Sequence, residues 1–315
     1  MSARTHLPVG QEAIAIKGWI GAHRFLLLRR ASQLFFLALF LVGPWFGIWI
    51  VEGTLAGSRT LDILPLTDPF VLVQSMVAGH WPALTALIGA AIVVVAYAVL
   101  GGRTYCSWVC PINPVTDAAH WLHVKLGLPK GWQPKRNTRL WIALAAILAS
   151  ALTGTIAWEL INPITILHRG LIFGLGFSLA LIGLIFLFDL LLSRQGWCGH
   201  VCPVGAIYGL IGTKSVVRIS AANRTACDDC MDCYAVCPEN QVISPALKGK
   251  DGTSPLILSP DCTNCGRCID VCAQDVFHFT HRFDNRIGAL ADLSSAATIG
   301  AASPDNGSTH HAEIN

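Results

Sequence analysis

Two tandem stretches near the C-terminal end decide the fold: CDDCMDCYAVCP at residues 227–238 and CTNCGRCIDVCA at residues 262–273. Each has the spacing C-x2-C-x2-C-x3-C, which is typical of chains that bind cubane [4Fe–4S] clusters. Zinc is a poor alternative, because zinc sites generally use two C-x2-C pairs. The two runs therefore predict a two-cluster, bacterial-ferredoxin-like α+β domain over residues 215–287.

The fourth cysteine of each run is expected to bind the neighbouring cluster, as in other two-cluster ferredoxins. Each cluster would then take the first three cysteines of one run and the last cysteine of the other. The predicted ligands are Cys227, Cys230, Cys233 and Cys272 for cluster one, and Cys262, Cys265, Cys268 and Cys237 for cluster two.

The remainder of the chain is too apolar for an ordinary water-soluble domain, since 53% of all residues are hydrophobic and only 13% are charged. Four segments without an ionisable side chain are long enough to cross about 30 Å of hydrocarbon. They are residues 31–51, 82–102, 140–158 and 170–188. Four buried helices of a soluble core are the alternative, but such clean apolar segments are rare in soluble folds. We therefore predict an α-helical, four-span membrane domain over residues 31–214.

Basic residues indicate the orientation of these spans. Several lysines and arginines lie in the N-terminal arm (residues 1–30), between the second and third spans, and after the fourth span. The other two connections contain one basic residue each, Arg59 and Arg169. By the positive-inside rule, both termini and the cluster domain are expected in the cytoplasm, in a multi-pass protein of the bacterial inner membrane. The tail at residues 288–315 is rich in small and polar residues and is expected to be disordered.

Two further cysteine pairs follow the second and fourth spans. CSWVCP at residues 106–111 and CGHVCP at residues 198–203 have the form of CYAVCP at residues 233–238. If the second and fourth helices are neighbours, four thiols meet at the cytoplasmic edge: Cys106, Cys110, Cys198 and Cys202. They could form a further four-thiolate metal centre, a redox-active dithiol or a docking surface for the cluster domain. Small buried cysteines are a weaker alternative, and a cytosolic disulfide is disfavoured. His200 is the best candidate for tuning a centre there.

The cysteine pairs belong to an internal repeat. TDPFVLVQSMVAG at residues 67–79 precedes the second span, and INPITILHRGLIFG at residues 161–174 leads into the fourth. Each Asp-Pro or Asn-Pro alone is best interpreted as a helix cap. Their duplication favours a quinol site shared between the second and fourth helices, with Asp68, Pro69, Asn162 and Pro163 as candidates, in a pseudo-symmetric four-helix bundle. His80 and His168 are interpreted as solvated interfacial residues, and Asp189 as a helix-end residue.

With these features together, the chain resembles the NapH family, the ferredoxin-type quinol dehydrogenase membrane components of periplasmic nitrate reductase systems. The resemblance covers about residues 18–279 and includes GPWFGIWI, PLTDPF, CSWVCPINPVTD, INPITIL, GWCGHVCPVGAIYG, CMDCYAVCPE and CGRCIDVC. The C-x3-C-P pairs alone would be shared with related proteins of nitrous oxide and methylamine respiration.

This resemblance implies electron transfer from membrane quinol, the expected substrate, towards a periplasmic nitrate reductase. It also implies a periplasmic iron–sulfur partner subunit, and no nucleic-acid partner is expected. An alternative function is electron donation for the assembly or maintenance of a periplasmic metalloenzyme. Whether the chain is an enzyme in its own right or an electron-transfer subunit stays open at this point.

Overall fold

The computed structural model describes residues 8–129, 131, 134–192, 195–249, 254–284 and 286. The tail predicted to be disordered, residues 288–315, lies outside this part of the chain. The described residues are mostly helical, with two small antiparallel sheets.

The N-terminal part consists of two consecutive helices, α1 (Gln11–Ala22) and α2 (Arg24–Phe46). α2 ends where Gly47 takes a left-handed conformation with φ of 73°, which glycine adopts without steric cost. Among the described residues, the combined stretch Gln11–Phe46 is the one helical segment long and apolar enough to cross a membrane. The first predicted span thus lies mainly within α2 and ends earlier than expected.

A three-stranded antiparallel sheet, β1 (Val51–Thr54), β2 (Gly57–Thr60) and β3 (Leu64–Thr67), follows α2. Helix α3 (Pro69–Val77) comes directly after this sheet. The sheet packs against the next helix, α4 (Leu84–Leu100).

The other three predicted spans fold as shorter apolar helices. They are α4, α7 (Thr138–Thr153) and α9 (Gly176–Leu187), the last of which continues as a π-helical turn at Phe188–Leu192. α4 packs mainly against β3 and α3, whereas α9 packs mainly against α6 (Asn113–Lys125) and α8 (Pro163–Phe173). The second and fourth helices are therefore not the close partners that the internal repeat suggested.

The two repeats meet instead at the turns that follow α4 and α9. α5 (Thr104–Trp108) follows α4, and a second π-helical turn, Trp197–Val201, leads into α10 (Pro203–Ile211). The chain at Gly102 passes so close to α10 that a Cβ there would collide with the carbonyl of Tyr208. This close crossing brings the two C-x3-C-P segments into one buried core.

The C-terminal part has the ferredoxin-type arrangement predicted from the two cysteine runs. Strands β4 (Val217–Ser220) and β5 (His278–His281) pair antiparallel, with Ser220 opposite His278. Between them lie the short helices α11 (Asp232–Val236), α12 (Ile243–Leu247) and α13 (Arg267–Val271). An apolar core that contains Ile219, Ile243 and Phe277 holds these elements together.

Candidate metal centres

The four cysteines expected to bind cluster one line a single cavity of about 350 Å³. Cys227, Cys230 and Cys233 come from the first run, and Cys272 comes from the end of the second run. Asp228, Asp229 and Met231 also line this cavity, and Cys230 is exposed.

The four cysteines expected to bind cluster two line a separate cavity of about 340 Å³. Cys262, Cys265 and Cys268 come from the second run, and Cys237 comes from the first. Cys265 and Cys268 are buried. The short helices α11 and α13 pack against each other. This packing places the last cysteine of each run beside the first three cysteines of the other run.

Both loops wrap inwards because matching positions adopt left-handed backbone conformations. Asp229 and Met231 have φ of 61° and 66°, and the corresponding Asn264 and Gly266 have φ of 48° and 74°. Asp, Asn and Gly tolerate this region better than other residues. At Gly266 there is a second reason for glycine, since a Cβ would lie 2.5 Å from Cγ of Phe25.

The two sets of four thiols fit a [4Fe–4S] cluster better than a single metal ion. All eight cysteines are free of disulfide bonds. No group of three or more His, Cys, Asp or Glu within the described ranges is placed to hold one metal ion. In a cubane each thiolate binds a different iron, so the four sulfurs surround a volume instead of converging on a point. When bound, such a cluster supplies one-electron oxidation and reduction.

The second cysteine constellation, which we name the quartet, consists of Cys106, Cys110, Cys198 and Cys202. Cys106, Cys110 and Cys202 pack into one core, and Sγ of Cys198 lies 3.7 Å from Oγ1 of Thr116. The four thiols are near enough for their charges to interact. Burial, the largest cause, raises the pKa of Cys202 to about 12. The structure therefore brings the four predicted thiols together, and without a bound cation they are protonated at neutral pH.

Arg103 joins the quartet to the ferredoxin-type part of the chain. Its Nη1 donates to Oε1 of Glu239 over 2.8 Å and to the carbonyl of Asp261 over 2.9 Å. Its Nη2 donates to the carbonyl of Cys198 over 3.0 Å. Glu239 follows Cys237 by two residues, and Asp261 immediately precedes Cys262. One buried guanidinium thus contacts the second cysteine pair and both segments that carry the ligands of cluster two.

The segment between Cys106 and Cys110 lies directly on the loop of cluster two. Oγ of Ser107 donates to the carbonyl of Thr263 over 2.7 Å. Nε1 of Trp108 donates to the carbonyl of Asn264 over 3.0 Å. Thr263 and Asn264 lie between Cys262 and Cys265 in the chain. The segment that carries the first two cysteines of the quartet therefore packs directly against the loop of cluster two. Sequence reasoning raised docking as one of three options, but it did not identify these contacts.

His200 lies among charged side chains beside the quartet. It is buried, and its charged surroundings are Glu239, Arg136, Arg139 and Arg103. Nη1 of Arg139 donates to the carbonyl of the adjoining Gly199 over 3.2 Å. His200 therefore belongs to the polar network beside the quartet, as does the adjoining Gly199.

The N-terminal helices cover the ferredoxin-type part. The backbone N–H of Gly10 donates to Oδ2 of Asp232 over 2.8 Å. The N–H groups of Phe25 and Leu26, in the first turn of α2, donate to the carboxylate of Asp270, each over 3.0 Å. A carboxylate at this position satisfies unpaired N–H groups at the start of a helix and is favoured by the helix dipole.

The four residues proposed for a quinol site are two helix caps. Oδ1 of Asp68 accepts from the N–H of Phe70 over 2.8 Å, with Pro69 in the first turn of α3. Oδ1 of Asn162 accepts from the N–H of Ile164 over 3.1 Å, with Pro163 in the first turn of α8. Each follows the preference for Asp or Asn at the cap and Pro directly after it.

Glu159 lies near both caps. Its Oε2 accepts from Nδ2 of Asn162 over 3.1 Å. Burial raises the pKa of Asp68 to about 7, the N–H of Phe70 opposes this shift, and the charge of Glu159 adds to it. The two Asp/Asn-Pro units are thus brought together around a second acidic side chain, that of Glu159.

Two other polar residues of the predicted membrane domain have an expected role from the sequence. The expectation that His168 is solvated is wrong, because it is buried and its ring packs edge-on against Phe40. Asp189 is also buried, and its Oδ1 accepts from the N–H of Trp197 over 2.9 Å. This bond ties the end of the fourth apolar helix to the residue that precedes Cys198, which agrees with a helix-end role.

Comparison with known families gives matches over three segments. Residues 82–129 and 174–220 match a family described as a 4Fe-4S binding domain, and each segment contains one C-x3-C-P pair. Residues 226–283 match a family described as a 4Fe-4S dicluster domain. No solved structure matches the chain.

Curated relatives match most of the chain. The ferredoxin-type protein NapH of Haemophilus influenzae is 51% identical over 276 residues, which cover 88% of this chain and 96% of the relative. NapH of Escherichia coli is 48% identical with the same coverage of both chains. The methylamine utilization ferredoxin-type protein MauN of Methylorubrum extorquens is 52% identical, over 86% of this chain and 94% of the relative. The chain belongs to the family of ferredoxin-type electron-transfer proteins that includes NapH and MauN.

Proposed function

We propose that this protein is the membrane-embedded iron–sulfur subunit of a quinol dehydrogenase, and that it passes electrons from quinol towards a periplasmic nitrate reductase. The main observation in support of this proposal is that the segment between Cys106 and Cys110 contacts the loop of cluster two. Through Ser107, Trp108 and Arg103, the ferredoxin-type part is fixed to the apolar helices. A carrier held in this way takes electrons from a source in the helical part without having to diffuse.

The surface of the helical part supports contact with lipid. Large apolar side chains are exposed along the outer faces of the helices, among them Leu34 on α2, Leu152 on α7 (88% exposed) and Phe177 on α9 (74% exposed). Contiguous surface of this kind is costly in water and is typical of membrane or protein contact. We therefore propose four crossings, by α2, α4, α7 and α9.

The lengths of three of these helices call for some adaptation of the bilayer. α4 has 17 residues, which at 1.5 Å per residue reach about 25 Å. The hydrocarbon core is about 30 Å thick, so local thinning or the polar turns at the helix ends must make up the difference. The charge distribution favours cytoplasmic termini in a bacterial inner membrane.

We place the quinol site at the two caps, around Asp68, Pro69, Asn162 and Pro163. Oxidation of a quinol releases two electrons and two protons, so the site requires a proton acceptor. Asp68, whose pKa burial raises to about 7, is suited to accept a proton near neutral pH. Between this region and the quartet, the rings of Tyr105 and Tyr208 stack with centroids 4.9 Å apart, and Tyr105 immediately precedes Cys106.

The quartet is proposed as a further four-thiolate iron–sulfur centre. Both C-x3-C-P pairs fall within segments that match a 4Fe-4S binding family, and the four cysteines, buried or half-buried, lie near one another. A centre there would lie between the cap region and cluster two. Protonated thiols would have to lose their protons when the metal binds, as thiolate ligands generally do.

A second function is favoured by the relatives named for methylamine utilization. MauN of Methylorubrum extorquens is as similar to this chain as the NapH proteins are, so identity does not separate the two roles. The second candidate is therefore electron donation for the assembly or maintenance of a periplasmic metalloenzyme. In either role we propose a periplasmic iron–sulfur subunit as the partner.

The two functions differ in the rate at which quinol reduces the clusters. Anaerobically purified protein would be mixed with decylubiquinol, and cluster reduction followed by electron paramagnetic resonance after rapid freezing. Reduction within the time of a catalytic turnover is expected for a dehydrogenase subunit, with oxidised decylubiquinone as the control. Absence of reduction, with the periplasmic partner present, would exclude this role and favour the second candidate.

A further inference from the structure

The two cluster cavities lie in opposite electrostatic surroundings. Arg267 lines the second cavity and buried Arg29 lies next to it on a shared carboxylate, whereas Asp228 and Asp229 line the first cavity. A [4Fe–4S] cluster bound by four thiolates becomes more negative on reduction. Nearby positive charge therefore raises its reduction potential, and negative charge lowers it.

On the side of the second cavity, three arginines share one carboxylate. Asp117 forms ion pairs with Arg30 and Arg267, and its Oδ2 lies 3.8 Å from Nη1 of Arg29. Arg267 lines the second cavity together with Cys265 and Cys268, and Arg29 lies next to it on the shared carboxylate. The positive charge on this side of the cavity thus exceeds the negative charge that balances it.

On the opposite side of the second cavity, the acidic groups are already paired. Glu239 binds Arg103 and lies 3.6 Å from Nη1 of Arg139, and Asp261 forms an ion pair with Arg139. These two carboxylates therefore do not cancel the charge of Arg29 and Arg267.

Arg29 is the least compensated of these arginines. It is 1% exposed, and its Nε and Nη1 have no hydrogen-bond partner among the described residues. A buried charge without partners is costly. Because Arg29 shares Asp117 with Arg267, which lines the second cavity, the negative charge of a cluster held there would compensate it.

The first cavity has the opposite sign. Its loop contains Asp228, Asp229 and Asp232 among the ligands; Asp228 and Asp229 line the cavity, and Asp229 forms an ion pair with Lys248. Oδ1 of Asp228 accepts from the N–H of Cys230 over 3.3 Å, so a carboxylate lies directly beside a ligand of cluster one. Burial by itself would make the second cluster the harder one to reduce, so the arginines must outweigh that effect.

We propose that the buried arginines of the second cavity, Arg29 above all, hold cluster two at a higher reduction potential than cluster one, so that cluster two takes up the first electron. The inference rests on the proposed function in one respect. Quinol is a mild reductant, and the cluster next to the quartet is then the one that quinol can fill. The order of the two reduction potentials depends only on the charged residues around the two cavities, and not on the identity of the electron donor.

The test is a redox titration of the purified, anaerobic protein, followed by electron paramagnetic resonance. Cys230→Ala would identify the signal of cluster one by its loss. The Arg29→Gln variant is expected to lower the midpoint potential of cluster two by at least 59 mV, which is a tenfold change for a one-electron couple, and to leave cluster one unchanged. Arg29→Lys, which retains the positive charge, is expected to keep the midpoint potential of cluster two close to that of the unmodified protein.

Two further variants serve as matched tests. Asp228→Asn retains an oxygen to accept from the N–H of Cys230, now 3.3 Å away, and is expected to raise the potential of cluster one alone. Arg30→Gln removes a more exposed, better solvated arginine from the same carboxylate and is expected to lower the potential of cluster two by less than Arg29→Gln does.

A higher midpoint for cluster one in the unmodified protein, or equal shifts of both clusters in Arg29→Gln, would overturn the inference. If Arg29→Gln does not assemble its clusters, two other measurements test the inference. They are the order of the two midpoint potentials in the unmodified protein and the shift of the cluster-one potential in Asp228→Asn. If the order holds and decylubiquinol reduces neither cluster, the proposed function fails and the inference stands.

Discussion

Nη1 of Arg103 donates to Oε1 of Glu239 over 2.8 Å, and each of the two side chains is 2% exposed. Arg103 follows the second apolar helix, and Glu239 follows Cys237 of the first cysteine run. The pair therefore connects the helical part to the ferredoxin-type part at the point where the quartet packs against the loop of cluster two. Arg136 and Arg139 lie on the same carboxylate, at 3.9 Å and 3.6 Å.

Removing the charge of Glu239 should destabilise this junction. Glu239→Gln keeps an acceptor oxygen but leaves buried Arg103 without its counter-ion, and breaking a buried pair from one side typically costs about 3 kcal/mol or more. Denaturant titration of the cluster absorbance should show this loss. Asp62→Asn, which alters an exposed pair with Arg59, is the control. Equal midpoints for Glu239→Gln and the unmodified protein would show that the junction does not depend on the ion pair.

The crossed ligand sets predict which variants lose the same cluster. Cys272→Ala should remove the signal that Cys227→Ala removes, although the two residues belong to different runs. Cys237→Ala should remove the signal that Cys265→Ala removes. Each variant should lose roughly four irons per chain if its cluster does not form. If Cys237→Ala instead abolishes the signal lost in Cys227→Ala, each run binds its own cluster.

Loss of a quartet thiol should affect electron transfer without affecting the two ferredoxin-type clusters. Cys110→Ala and Cys202→Ala should retain both cluster signals and slow the reduction by decylubiquinol at least about tenfold, equivalent to roughly 1.4 kcal/mol in the barrier. Iron content should fall from roughly twelve to eight atoms per chain, because three cubanes would become two. Unchanged rates and iron content in both variants would leave these cysteines a packing role.

Asp68 predicts a pH dependence near neutrality. Its pKa in the folded protein is about 7, above the ordinary value of 3.8. The carboxyl is therefore protonated below pH 7 and accepts a proton only above it, so the rate of quinol oxidation should rise from pH 6 to pH 8. Asp68→Asn retains a helix cap and should remove this rise. A rise that persists in Asp68→Asn must come from another group.

The same shift has a consequence for stability. Because the folded chain retains a proton on Asp68 that the unfolded chain releases between about pH 4 and pH 7, this group favours the folded state most at the acidic end of that range. Its contribution falls as the pH rises to 7 and is constant above it. Comparing the pH dependence of unfolding in the unmodified protein and Asp68→Asn isolates the effect.

Local spacing explains which features could be predicted from the sequence. The cysteine runs are recognisable because the ligand spacing is set by a tight loop, and Asp68 and Asn162 are recognisable as caps because a cap bonds within two residues. Long-range pairs have no such local signature. The partner of Arg103 lies 136 residues away, so Arg103 was interpreted only as a basic residue that indicates orientation.

The same reasoning explains the elements that the sequence did not reveal. β1 to β3 form a small sheet at residues with no regular apolar alternation, such as Glu52 and Arg59, which face each other across β1 and β2. Asp270 lies among the cluster ligands, and nothing around it in sequence indicates that it caps α2. Burial of His168 likewise depends on packing against α2, far from it in the chain.

The contacts of Gly10, Phe25 and Leu26 with Asp232 and Asp270 restrict how the polypeptide can be threaded through a bilayer. Residues that touch directly must lie on one face of the lipid. The number of traverses between Leu26 and the first cysteine run is therefore even, whichever leaflet holds the positive charge. If α2 crosses the bilayer, as we propose, a single passage would separate these contacting residues, so at least one of the shorter apolar helices would have to cross as well.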